Sequence, residues 1–137
     1  MPLKVTLLID LKKLVGKEKL AEAEKAVFNA FMDMGTTVYK DTENTAENME
    51  CVVIRGNDII SLTIHNTEIM YETGVNYTKV LRNYGVAEIE VLHNHTCRGY
   101  HTTLQGILDD VMDTIATTLN IDKDKITDAI DSVITNR

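Results

Sequence analysis

The stretch "NTEIMYETGVNYTKVLRNYG", residues 66–85, decides how this chain is laid out. It separates two apolar runs, "DIISLTI" (58–64) and "VAEIEVL" (86–92), both of strand character. Met70, Gly74, Tyr77, Leu81 and Tyr84 fall on one helical face, and Gly85 stands where a helix ends. The spacing predicts a helix, with Gly74 a weak point in its interior. Strands joined by one crossover helix run parallel, so the two flanking runs become parallel strands.

Upstream, "MECVVIRGNDIISLTI" (49–64) reads as a hairpin about Gly56-Asn57, a two-residue turn signal. That turn sets a register pairing Val53 with Ile60 and Cys51 with Leu62. Further out, Leu3, Val5, Leu7 and Ile9 alternate in a half-buried strand. "GKEKLAEAEKAVFNAFMDMG" is a helix with an apolar stripe of Leu20, Ala23, Val27, Ala30, Phe31 and Met34, closed by a left-handed Gly35. "TTVYK" (36–40) is a strand or the start of one, and 41–48 a polar loop.

Downstream, Thr102 and Gln105 fit a capping box. Leu104, Ile107, Leu108, Val111, Met112, Ile115 and Leu119 then recur at helical spacing. A break at "LNID" leads to a last helix carrying Ile126, Ile130, Val133 and Ile134, with Asp122 as N-cap.

The expectation is an α+β fold: a ferredoxin-like βαββαβ two-layer sandwich with two additional C-terminal helices. Residues 1–137 form a single domain, with 1–95 the βαββαβ core and 102–137 a helical hairpin. Both crossover helices then cover one face of the sheet. The opposite face carries Leu8, Val52, Ile54, Ile59 and Leu92, too apolar to stay wet. The tail helices are expected to pack there, with leftover apolar surface serving self-association as a dimer or higher oligomer. The alternative is a tail that completes a monomeric core.

Composition narrows the function classes. The chain has 137 residues, of which 44% are apolar, enough for one packed core. The net charge of −7 argues against nucleic acid and against anionic membrane surfaces as partners. No apolar run approaches the ~20 residues of a membrane span, and the N-terminus lacks a signal layout, so a cytoplasmic location is expected. Cys51 and Cys97 make no disulfide framework and read as free thiols, Cys51 as a buried small hydrophobe.

Chemistry concentrates in "EVLHNHTCRGYHTTL", residues 90–104. In the parallel arrangement His65 and His93 share one end of the sheet. His65 points outward as a strand-end residue, leaving His93, His95, Cys97 and His101. Imidazole and thiolate suit a divalent metal such as zinc, and His93 and His95 lie on one side of a strand. Four ligands this close together match no standard zinc spacing, and Arg98 adds a positive charge beside them. A polar strand end whose histidines bond backbone and helix is the alternative. The same loop enters a helix N-terminus, where Arg98, His101 and Thr102 could grip an anionic small molecule. There Cys97 would be an activated thiol, though no third group orients it.

"DKDKITDAIDSV" lacks the ligand and glycine positions of a calcium loop, and no phosphate-loop, dinucleotide or nucleophile-elbow motif is present. Asp10 reads as the cap of the first strand's turn. The sequence thus predicts a small soluble ligand-binding or accessory module, self-associating, with a polar site at 93–103. The alternative is a small metal-dependent or thiol-dependent enzyme using His93, His95, Cys97 and His101; whether the protein is an enzyme stays open.

Overall fold

Strand β1 (Pro2–Asp10) occupies an interior position in a sheet of order β2-β3-β4-β7-β1-β8. The computed structural model from which this is read describes residues 2–41, 48–65, 69–73, 77–81, 85–94 and 104–136. After β1 come α1 (Leu11–Val15) and α2 (Leu20–Met32), then β2 (Thr36–Asp41), β3 (Asn48–Arg55) and β4 (Asp58–His65). A separate hairpin of β5 (Ile69–Thr73) and β6 (Tyr77–Leu81) follows. The chain returns as β7 (Val86–Asn94), α3 (Leu104–Leu119), α4 (Lys123–Asp128) and β8 (Ile130–Asn136).

Every neighbouring pair in the six-stranded sheet is antiparallel. The fold is therefore α+β, but the strand order and helix positions differ from the ferredoxin-like βαββαβ plan. The departure begins at 66–85. Its described segments form the β5–β6 hairpin, not a helix. Ile69, Tyr71, Thr73, Tyr77, Thr78 and Val80 are β-branched or aromatic, which suits pleated backbone. Only residues 74–76, "GVN", separate the strands, a length common for hairpin loops.

The whole excursion starts and ends at one place. The Gly85 amide donates to the His65 carbonyl at 2.9 Å, and His65 pairs with Val86. With the two ends of residues 66–84 adjacent, β4 and β7 must run antiparallel. Gly85 is required there: its φ is +85°, and a Cβ would lie 2.5 Å from Leu20 Cδ1.

The β3–β4 hairpin has the expected register, with Val53 opposite Ile60 and Cys51 opposite Leu62. Gly56 supplies the turn with φ +63°. β2 is a separate edge strand, with its register shifting between Thr37 and Tyr39. Gly35 is not left-handed; α2 ends at Asp33 (φ −87°). Its missing side chain instead admits the Ile54 carbonyl and the Val53 side chain.

One face of the sheet is sealed. Val5, Leu7 and Ile9 of β1, Cys51 and Val53 of β3, Ile60, Leu62 and Ile64 of β4, and Ala87, Ile89 and Val91 of β7 are all buried. Val27, Phe28 and Phe31 of α2 and Ile107, Val111 and Ile115 of α3 join the same core. Each such large side chain contributes roughly 1.5–3 kcal/mol of burial. The tail helix α3 thus takes the place expected of a 66–85 helix, beside α2, rather than covering the second face.

The end of the tail also departs from expectation. The helix from Lys123 stops at Asp128, and Ile130–Asn136 pair with β1 as the second edge strand. Asp122 stands at the N-cap of α4, but its side chain makes no capping bond. Asp10 caps α1 as expected, accepting from the Lys13 amide at 3.1 Å.

Candidate functional site

His93 reaches its position by strand alternation. Ala87, Ile89, Val91 and His93 point toward the helices, while Glu88, Glu90 and Leu92 point away. In β4 the same rule turns Asp58, Ile60, Leu62 and Ile64 inward. Ile59 pairs with Leu92, so Asp58 and His93 occupy the next step at the sheet's end. There His93 Nδ1 lies 2.7 Å from Asp58 Oδ1. Both are sealed, with 4% and 2% exposure.

That pairing gives two costly buried groups a hydrogen bond at once. It also fixes the ring's orientation. A carboxylate behind an imidazole nitrogen is the arrangement used to orient metal-bound or proton-transferring histidines. It equally anchors the end of a sheet. Asp58 was missed as a site residue because it reads as the polar first residue of the 58–64 strand. The signal lay in the register: opposite-facing arithmetic from Val53–Ile60 sends Asp58 inward, and a buried aspartate needs a partner.

Beside this pair, Arg55 at the base of the β3–β4 turn reaches Asp110 on α3 at 2.9 Å. Asp110, Asp113, Thr114, Thr117 and Thr118 line an open hollow of about 400 Å³ with Arg55. Asp113 and Asp109 are met by Lys123 at 3.0 and 3.8 Å. These carboxylates belong to the α3–α4 surface.

The other sequence candidates separate. His65 lies at the opposite end of the sheet from His93, because β4 and β7 are antiparallel. It points away from the helices, as expected, and its Nε2 sits 2.8 Å from Glu88 Oε1. That bond holds the Glu88 carboxyl below its ordinary range. Cys51 is fully buried, and burial pushes its thiol up to about 11, so it is no nucleophile. His95, Cys97, Arg98, His101 and Thr102 lie outside the described residues. Among the described residues, no group of three or more His, Cys, Asp or Glu could hold a metal ion. No described helix is long and apolar enough to cross a membrane.

The helix-free face of the sheet is the second feature. Leu8, Val52, Ile54, Ile59 and Leu92 all point to it, as the alternation predicted. Toward β1 this face is closed, with Leu8 3% and Thr6 9% exposed. Toward the β2 edge it is open, with Ile54 39%, Ile59 36% and Tyr39 48% exposed. Ile54, Ile59 and Leu92 are successive cross-strand neighbours in one row, ending at Lys4 of β1. The Lys4–Glu90 pair (3.3 Å) borders that row, and His65–Glu88 lies further along the same face.

Comparison with known proteins adds no relative. No family model, curated protein or solved structure matches this chain. Its function must be argued from these two features.

Proposed function

We propose that the protein is a small binding or accessory module that works through protein–protein contact and self-associates. The carrying observation is the row Ile54–Ile59–Leu92, apolar and partly exposed on a face that neither α2 nor α3 covers. Large aliphatic side chains gathered on one side of a sheet mark a contact surface more often than isolated ones do. Any small ligand of this module would be anionic and held by Arg98, His101 and Thr102, where the chain passes from β7 to α3. Sedimentation velocity of the full chain over a concentration series tests the reading. A mass that rises with concentration supports it. A monomer up to ~1 mM, where even contacts of about −4 kcal/mol are populated, refutes it.

A second reading rests on a different observation, the buried Asp58–His93 pair. A ring oriented by a carboxylate would suit a metal-dependent or thiol-dependent enzyme drawing on His93, His95, Cys97 and His101, with zinc the best chemical fit. Elemental analysis separates the two. Stoichiometric metal lost in His95→Ala favours the enzyme; metal-free protein that sediments as a concentration-dependent dimer favours the module.

A further inference from the structure

We propose that a second surface, the hollow between α1, the start of α2 and the end of α3, binds an acidic peptide that carries one large apolar side chain. The hollow lies among the helices and not on the helix-free face, so this goes beyond the self-associating module reading. Val15, Ala23, Ala26 and Leu119 give it apolar walls, and Lys19, Glu22 and Thr118 complete the lining. Its volume is about 210 Å³. Small-molecule sites run from roughly 300 to 1,000 Å³, so this hollow suits one side chain rather than a whole ligand.

Charge selects the occupant. Residues 12–19 hold four lysines against one carboxylate, Glu18, in a chain whose net charge is −7. Lys12 stands one helical turn before Val15 on α1, while Lys17 and Lys19 follow Val15 and are exposed. None of these three lysines makes an ion pair among the described residues. Lys13 is engaged, donating to the Asp128 carbonyl at 3.2 Å. Helix stability does not account for Lys19. It stands at the N-cap of α2 without a side-chain capping bond, and it puts positive charge at the helix end where a negative one is favoured. An apolar side chain in the hollow, with carboxylates beside it, would meet both the walls and the lysines. Glu22, the one carboxylate of the lining, steers those acids toward α1. A nucleic acid fits less well, because its phosphates meet a negative chain beyond this patch.

The test uses the full chain and a fluorescein-labelled peptide, Asp-Glu-Phe-Asp-Glu, followed by fluorescence anisotropy at about 0.05 M salt. The peptide should bind at least ~10-fold more tightly than its counterpart with serine in place of phenylalanine. Lys17→Glu combined with Lys19→Glu should weaken binding at least ~10-fold. Ala26→Phe, which fills the hollow and leaves the charge unchanged, should do the same. Urea unfolding shows whether each variant is folded, and Thr118→Phe fills the hollow from α3 should Ala26→Phe not fold. Raising the salt to about 0.5 M should weaken this binding, whereas contact through an apolar face would not weaken. A peptide that does not bind, or that binds equally well to both kinds of variant, overturns the proposal. Tighter binding of a single-stranded DNA oligonucleotide, or of phosphatidylserine vesicles, overturns it as well. Any of these failures leaves the helix-free face, whose test is sedimentation, unaffected.

Discussion

The Glu24 carboxyl enters the core from α2, 8% exposed, and its Oε2 finds no hydrogen-bond partner among the described residues. Burial raises its pKa above the ordinary 4.5. A raised carboxyl favours the folded state only while it holds its proton. Its contribution is intact below the unfolded value and is lost as pH rises through the folded one. Glu24→Met, similar in volume, should therefore stabilise the protein at pH 7 by ~1–3 kcal/mol, the cost of an unsatisfied buried polar group. Urea denaturation should show that gain fading as the solution is acidified toward the unfolded value. Glu88 behaves oppositely. Its lowered pKa, caused first by the His65 bond, contributes stability above the unfolded carboxyl value that is lost as pH falls through the folded one. The Asp58–His93 pair should be the most sensitive polar contact. Asp58→Ala or His93→Ala removes this buried bond and should cost about 1–3 kcal/mol. The double variant should cost clearly less than the sum, and additive losses in that cycle would show the two groups to be independent.

Among the elements, the β5–β6 excursion is separable from the sheet that carries it. His65 and Gly85 are already bonded, and Gly85 has the positive φ that a tight hairpin turn requires. Replacing residues 66–84 with one asparagine leaves His65-Asn-Gly85-Val86, a two-residue turn of the Asn-Gly kind. The shortened protein should fold and unfold cooperatively with its six-stranded sheet intact. Loss of cooperative unfolding would mean that the excursion stabilises the core. Gly85→Ala, by contrast, should destabilise by more than about 1 kcal/mol, from its φ and from the collision with Leu20; Leu20→Ala should recover part of that. The same elements show what the sequence made legible. Gly56-Asn57 is a short-range signal, so the β3–β4 register, the inward Cys51 and the outward apolar row followed from it directly. Residues 66–85 and 130–136 were illegible for one reason. Met70, Tyr77, Leu81 and Tyr84, like Ile130, Val133 and Ile134, have spacings compatible with a helical face. Their β-branched and aromatic content pointed the other way. For residues 130–136 the competing pull came from β1, distant in sequence, which a local period does not register, whereas β5 and β6 pair with each other. The candidate site was half legible for a related reason: His93 was found from composition, while Asp58 required the tertiary register.

At the scale of the whole molecule, charge and shape act against each other. Two copies of a chain with net charge −7 repel, while the row about Ile59 draws them together. Self-association should therefore tighten on raising sodium chloride from about 0.05 to 0.5 M, as the screening length contracts from above 10 Å to a few ångströms. Sedimentation at both salts checks this, and a dimer weakened by salt would point to a contact made by opposite charges instead. The position of β1 has a consequence for biosynthesis. Both of its neighbours, β7 and β8, come from the later part of the chain. While the ribosome is still making residues 11–85, β1 has neither ladder partner available. Its apolar Val5, Leu7 and Ile9 must wait, and closing so long a loop is slow. A nascent chain of this topology is one that holdase chaperones would meet early.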